Sequence, residues 1–429
     1  MRANIPEVNE KRIVVIGGGF AGLKLTTKLV KTNYQSVLID MHNYHMFQPL
    51  LYQVATAGIE ASAISFPYRK VFQSSKMIHI RVAEVLKIEP ESNRIVTTIG
   101  AVNYDYLVIA IGTTSNYFGN EHIRQLSFPM KSISEALGLR NTILQRFENL
   151  LISDEPDEIA GLLNFVVVGG GPTGVETSGA LAEMKRFILP KDYPEIDFKR
   201  MNIFLIDAVP TLLNGMSKIS SKKACEYLEG MGVKVLLGAA VNDYDGKIVK
   251  LTDGSSIRTD TLIWAAGVKG NRLDGLNPES IGKGNRFIVD ETNLIKGYSN
   301  IYAIGDIALM STDMHPKGYP QIAQVAIQQA SNLADNFKRM YKGEPLKPFK
   351  YCDLGSMATV GRNLAVVDLP FLKFQGFLGW LVWMAIHLKS ILGVKNKVLV
   401  FVNWFWSYIT YDQSLRLIIK PRSKPKKEA

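Results

Sequence analysis

Cysteine is almost missing from this chain: Cys225 and Cys352 are the only two in 429 residues. Two distant thiols exclude a disulfide framework, and without a CxxC pair there is neither a dithiol redox motif nor a zinc ribbon. Acidic residues are scarce at one end. Residues 371–429 hold ten Lys or Arg against Asp412 and Glu428, so that stretch carries +8 of the overall +11. The body ahead of it is close to balance, which argues against a nucleic-acid groove, and no nucleic acid is expected as a partner. Long apolar runs are also lacking. Segments 377–388 and 398–409 have twelve residues each without Asp, Glu, Lys or Arg. At 1.5 Å per residue each reaches about 18 Å against a hydrocarbon core of about 30 Å, too short to span a bilayer comfortably. No signal peptide or Arg-rich transit segment precedes the first strand, so the body is expected to fold in the cytosol. His42 and His45 stand close together, but no further His or Cys lies nearby, and no metal site is expected.

What is present is a globular composition, 47% hydrophobic and 21% charged, on a length that suits two or three domains. Residues 12–16 read as an apolar strand running into Gly17, Gly18, Gly19, Phe20, Ala21 and Gly22, then a helical pattern through Val30. A second strand, 36–39, ends at Asp40. This is the dinucleotide fingerprint in its strand–turn–helix setting. Gly17 permits the tight turn, Gly19 lets backbone approach the pyrophosphate, and Gly22 allows close helix–strand packing. The helix N-terminus offers N–H groups to the phosphates, and Asp40 is placed to accept from ribose hydroxyls.

The pattern returns. Strand 165–168 leads into Gly169, Gly170, Gly171, Pro172, Thr173, Gly174, Val175 and Glu176, and strand 202–206 ends at Asp207. Asp207 comes late because 185–200, with two prolines and mixed charge, reads as an inserted loop. An acid there repels a 2′-phosphate and favours NADH over NADPH; the plain alternative is a carboxylate capping a strand-end turn. Two such units in tandem mean two dinucleotides, usually a bound flavin and a visiting nicotinamide. Segment 104–111 is a strand ending at Gly112, and 262–266 another ending at Gly267. Residues 300–306 form a further strand closing on Gly305 and Asp306, where two-dinucleotide flavoproteins hold the ribityl–phosphate part of FAD. The fold expected is α/β with two Rossmann-like dinucleotide-binding domains. The first FAD part is 1–118, the NADH part 119–282, the second FAD part 283–370, with short strands in 344–361, and 371–429 stands apart as C-terminal amphipathic membrane-anchoring helices and basic tail. FAD is expected to be non-covalent, since no attachment motif is evident.

Beyond the fingerprints, the run from Tyr44 to Ala55 (YHMFQPLLYQVA), the GGGPTGVE segment ending at Glu176, and Ala323-Gln324-Val325-Ala326-Ile327-Gln328 together resemble the type II NADH:quinone oxidoreductases. These are single-subunit, non-proton-pumping enzymes of bacterial membranes, and the likeness covers nearly the whole chain. It implies hydride transfer from NADH to FAD, then two electrons to a membrane quinone, on the cytoplasmic face of the cell membrane. Gln324 and Gln328 match the family's AQxAxQ pattern and by that likeness position the quinone head group. Read by themselves they share a helix face at i and i+4, suited to a quinone carbonyl or to an ordinary solvated stripe. Glu176 would sit near nicotinamide and flavin, there to relay protons or to coordinate the two substrates.

Four of the five tryptophans, Trp380, Trp383, Trp404 and Trp406, fall in the two short apolar segments, with Lys389, Lys395 and Lys397 between them and Arg416, Lys420, Arg422, Lys424, Lys426 and Lys427 after. Short aromatic helices flanked by basic residues describe a monotopic, peripheral anchor on an anionic phospholipid surface. The competing reading is a helical hairpin packed on the body or on the partner of a homodimer. Lys373, just ahead of the first segment, is a further candidate at the quinone entrance. The rival functions are a sulfide:quinone oxidoreductase and another NAD-dependent flavoprotein reductase. The first needs reactive cysteines beside the flavin, whereas Cys225 and Cys352 read as small packing residues.

Overall fold

The computed structural model describes residues 3–413 and 415–419, so Lys420, Arg422, Lys424, Lys426 and Lys427 lie outside the described residues. Two compact units emerge. The first gathers the chain up to Met46, Ser65–Thr114 and Val268–Leu354; the second gathers Phe47–Ile64, Ser115–Gly267 and the chain from Gly355 on.

The first unit is built on five parallel strands in the order Ile301–Ala303, Tyr106–Ile109, Arg12–Ile16, Gln35–Asp40 and Ile78–Val82. The central strand, RIVVI, is buried along its whole length, as expected where helices cover both faces of a parallel sheet. Helix Phe20–Leu29 follows it directly, and the 19-residue helix Ala323–Tyr341 also belongs to this unit. A three-stranded antiparallel sheet, Val85–Glu89, Arg94–Thr97 and Gly100–Asn103, is appended.

The second unit repeats the plan: Phe128–Pro129, Thr261–Trp264, Asn164–Val168, Asn202–Asp207 and Val233–Leu237, all parallel. It too carries an antiparallel three-stranded appendage, Val241–Tyr244, Ile248–Leu251 and Ser256–Arg258. In both halves the strand leading into the glycine cluster is the middle one of five, which puts the glycine loop at the carboxyl edge of the sheet, where α/β folds take their ligands.

Several expectations from sequence are corrected. Residues 185–200 are not a simple inserted loop. Helix Pro172–Glu183 continues through a π-helical turn, Met184–Ile188, into Leu189–Asp192, with Met184, Ile188 and Leu189 buried. Pro190 is the second residue of that last piece, directly after the π-helical turn. The second compact unit ends its middle stretch at Gly267, and Ile281–Gly282 pairs with Arg286–Ile288 within the first unit. Phe47–Ile64, assigned to the FAD part from sequence, groups with the second unit. Residues from 371 on do not stand apart: Lys373–Gln375 is the third strand of a sheet with Ser356–Gly361 and Leu364–Asp368, and all of it groups with the second unit.

The C-terminal segments form helices Phe377–Ser390 and Val394–Thr410, longer than their apolar cores. Lys395 and Lys397 therefore lie inside the second helix rather than between the two. No helix among the described residues is long and apolar enough to cross a membrane. On the second helix Val394, Val398, Phe401, Val402, Phe405, Trp406 and Ile409 are all exposed. Their spacing of three and four residues makes one apolar stripe.

Candidate active site

In the first unit Gly17 takes φ +94°, and a Cβ there would stand 2.5 Å from the Ala110 carbonyl oxygen. A Cβ on Gly22 would come within 1.8 Å of the Gly17 oxygen, so helix and strand meet at the closest approach only glycine allows. At Gly19, by contrast, a Cβ would meet nothing within 4 Å. That side of the loop is open, as a cradle for phosphate must be. Phe20 opens the helix and meets the His45 ring edge-on at 5.3 Å, and Ala21 packs on Gly305. Asp40 turns back on the loop: Oδ2 accepts from the Gly18 amide at 2.6 Å and Oδ1 from the His42 amide at 2.7 Å. His45 Nδ1 lies 3.1 Å from the Gly18 oxygen, and burial lowers its pKa.

Gly112 ends the 106–109 strand region with φ +65°, its carbonyl receiving the Asn271 amide at 3.2 Å. Asp306 sits in the short turn Gly305–Ile307, with Thr113 Oγ1 donating to it at 3.3 Å. The turn is held by a residue that sequence reading missed. Gln329, 1% exposed, accepts the Gly305 amide at 2.8 Å.

The second unit reproduces this geometry. Gly169 has φ +115°, Gly174 approaches the Gly169 oxygen as Gly22 approaches Gly17, and Gly171 is open as Gly19 is. Pro172 supplies the first helical residue, where a missing N–H is harmless. Asp207 accepts from the Gly170 amide and, at 2.8 Å, from the Val209 amide. It thus does cap its strand-end turn, as Asp40 does, and the two halves share one device.

Glu176, one turn into that helix, is 7% exposed. Burial pushes its carboxyl up to about 8; the Thr359 amide, at 3.4 Å, and the nearby Trp383 indole N–H pull the other way. The Trp383 indole N–H is itself buried. Glu176 lines a cavity of about 120 Å³ within the second unit, together with Tyr52, Gln53, Glu183, Trp383 and Trp404. Trp383 is 2% exposed, stacks on His387 at 4.1 Å and meets Trp404 at 5.6 Å. Trp404 Nε1 donates to Gln53 Oε1 at 2.8 Å, and Trp380 stacks on Tyr408 at 5.3 Å. The headgroup-level reading of these aromatics needs correction: Trp383 is a wall of the cavity, and Trp406 is the exposed member. Burial lowers His387 to about 4.

Gln324 and Gln328 lie on one face of helix Ala323–Tyr341, but both reach segment 351–354. Gln328 donates to the Cys352 carbonyl at 2.8 Å and accepts the Cys352 amide at 3.0 Å; Gln324 accepts from Leu354 N at 3.1 Å and Tyr351 Oη at 3.3 Å. Cys225 is in helix Lys218–Gly230 and Cys352 is exposed. Lys373 is exposed at the start of the edge strand, paired in register with Asp368.

Two glycine cradles closed by strand-end acids, each on its own five-stranded parallel sheet, define a two-dinucleotide oxidoreductase. The sequence pattern of the pyridine nucleotide-disulphide oxidoreductases is matched over residues 11–330, and that of the NDH2 C-terminal domain over 354–410. The chain belongs to the type II NADH:quinone oxidoreductase family. The enzyme Ndh of Mycobacterium tuberculosis is 36% identical over 414 residues, covering 93% of this chain and 88% of the relative. The enzyme of Staphylococcus aureus NCTC 8325 is 30% identical over 362 residues, covering 83% and 89%. In fold, the structure of NDH2 from Plasmodium falciparum in complex with NADH matches with a TM-score of 0.88 at 21% identity, covering 96% of this chain and all of that one. The sulfide:quinone oxidoreductase of Aquifex aeolicus matches with 0.70 at 18% identity, covering 96% of each.

Proposed function

We propose that this chain oxidises NADH and reduces a membrane quinone by way of bound FAD, without pumping protons. The observation that carries the reading is an open glycine cradle in each unit, the second unit also holding a buried carboxyl in an aromatic cavity. The FAD supplies a group that accepts a hydride from NADH and returns two electrons to quinone. Gly17, Gly19, Phe20, Ala21, Gly22, Asp40, Gly112 and Asp306 fit that cofactor, non-covalently. Gly169, Gly171, Pro172, Gly174 and Asp207 fit NADH. Glu176, whose carboxyl burial pushes up to about 8, is assigned as the proton-bearing group of the quinone half-reaction. Gln324 and Gln328 are assigned to the quinone side on the likeness of their pattern; a carboxamide has two donor hydrogens and two acceptor lone pairs, so the bonds to Cys352 do not exhaust Gln328. Lys373 is assigned to the entrance.

FAD binding is assigned to 1–118 and 283–370 and NADH binding to 119–282, with their glycine cradles in the first and second compact units respectively. The apolar stripe of Val394–Thr410 supports peripheral attachment to an anionic phospholipid surface, on the cytoplasmic face where NADH is found. Apolar burial gives about 25 cal/mol per Å², and each nearby Lys or Arg adds about 1 kcal/mol. The same stripe is the surface on which a homodimer would form.

The test is to purify the protein from membranes, record its absorbance, and compare NADH oxidation with quinone, with sulfide as donor, and with neither. Released FAD and quinone-dependent NADH oxidation are expected. Sulfide-driven quinone reduction, or a protein free of flavin, would overturn the assignment.

A further inference from the structure

Helix Pro172–Glu183 carries a second carboxyl to which the reaction above gives no task. Glu183 follows Glu176 by seven residues, about two turns, so the two share a helix face, and both line the same cavity. They differ in access: Glu176 is buried, whereas Glu183 keeps some accessible surface. Glu183 Oε1 accepts the Arg362 amide at 2.5 Å. The Arg362 guanidinium is held elsewhere, 3.9 Å from the ring centres of both Tyr408 and Tyr411, with Nη2 donating to the Tyr408 carbonyl. Glu183 meets Arg362 through the backbone amide, and the guanidinium acts on it only by its charge. Burial therefore outweighs Arg362 and pushes the Glu183 carboxyl up.

The other titratable groups facing this cavity are Tyr52 from helix Leu51–Ala55, Arg362 from the turn before strand Leu364–Asp368, and Tyr408 and Tyr411 from the end of the second C-terminal helix. Tyr52, which accepts from Gln53 Nε2 at 2.9 Å, is near enough for both glutamates to act on its hydroxyl. Two turns of helix are about 10 Å, too far for one direct proton transfer. A cavity of about 120 Å³ has room for several waters.

Quinone reduction needs such a route. NADH surrenders a hydride, which is two electrons and one proton, while quinone becomes quinol by taking two electrons and two protons. One proton per turnover must come from solvent. We propose that Glu183 is the outer proton station of this cavity, taking that proton from the solvent side and passing it through cavity water to Glu176, which delivers it to the quinone oxygen. The inference rests on the quinone-reductase reading.

The experiment separates the half-reactions by stopped-flow in the full-length, flavin-loaded enzyme, comparing Glu183→Gln and Glu183→Asp with wild type. In Glu183→Gln the quinone step should slow by about tenfold or more, short of the roughly hundredfold or more that a group transferring a proton directly to substrate contributes, with a larger solvent deuterium effect. Bleaching of the flavin by NADH should stay within about twofold, and Glu183→Asp should restore most of the quinone step. Infrared pH titration of the resting enzyme should show a protonated carboxyl band that persists above the ordinary carboxylate range and is lost in Glu183→Gln. An unchanged quinone step across about pH 6 to 9 would overturn the proposal. So would both half-reactions slowing together with loss of flavin, because then Glu183 only braces the Arg362 turn. A wild type that bleaches with NADH yet passes nothing to quinone would overturn the functional reading instead, and the infrared band would still report whether Glu183 holds a proton.

Discussion

Glu176 couples the chemistry of the cavity to the stability of the fold. Its carboxyl is raised from 4.5 to about 8 by burial, so between those limits the native protein keeps a proton that the unfolded chain has released. Stability from this group is full below about pH 4.5, declines through the window and is lost above about 8, a swing of a few kcal/mol. His387, buried and lowered to about 4, acts oppositely: its contribution is full above about pH 6.5 and fades as pH falls toward 4. Glu176→Gln holds the neutral shape at every pH. Its melting temperature should therefore fall less than that of wild type between about pH 5 and 8.5, as thermal unfolding followed by circular dichroism would show; parallel slopes would mean that Glu176 is ionised throughout. The acids Asp40 and Asp207 were legible because a strand end after a glycine cluster has few chemical uses. Glu183 was not singled out, although its spacing of seven from Glu176 was visible. What made it matter was the burial around it, contributed by residues near 52, 362 and 408 that no local pattern connects.

At the scale of elements, the helix after the second glycine cluster is pinned at one point. A Cβ on Gly179 would stand 1.6 Å from the Val360 carbonyl oxygen, so the helix lies against strand Ser356–Gly361 at a distance only glycine permits. Gly179→Ala should force the two apart and cost about 3 kcal/mol or more, beyond the usual 1–3 kcal/mol for overpacking, because the obstacle is backbone. Loss of the cooperative transition, or a melting point lower by many degrees, would register it; a variant as stable as wild type would show that the strand can move aside. The strands flanking each glycine loop were readable from apolar runs and their turns. The π-helical turn Met184–Ile188 was hidden because prolines and mixed charge mimic a loop, and helix continuation there depends on burying Met184, Ile188 and Leu189. The strand Lys373–Gln375 was hidden too, since three residues carry no periodicity of their own.

For the molecule as a whole, the C-terminal helices have two duties. Their exposed stripe faces outward, and Trp383 and Trp404 wall the Glu176 cavity. A truncation after Gln375 spares the three-stranded sheet and removes both helices. It should abolish co-sedimentation with anionic liposomes while keeping FAD, because no residue assigned to that cofactor is lost. Turnover with a long-tailed quinone should collapse far more than turnover with a water-soluble acceptor. High salt should weaken but not abolish liposome binding of the intact protein, since screening removes only the polybasic share. If the intact protein stays in the supernatant at low and high salt, and a dimer is lost on truncation, the stripe is a subunit interface. The sequence announced these helices by their aromatic content, but it could not divide the tryptophans between lipid and cavity: that division follows from how the helices rotate against the sheet just before them and against Gln53, far away in the chain.

The closure of each glycine loop by its own strand-end acid has a thermodynamic consequence. Asp40 bonded to Gly18, and Asp207 bonded to Gly170, fix the loops before any nucleotide arrives. Ordering backbone costs about 1–2 kcal/mol per residue, and a loop already latched spares the incoming ligand that loss. The latch is the same in both halves, so preorganisation favours resident and visitor alike. The difference between a dinucleotide that stays through many turnovers and one that leaves in each must then be written outside the glycines, in what holds the rest of each molecule.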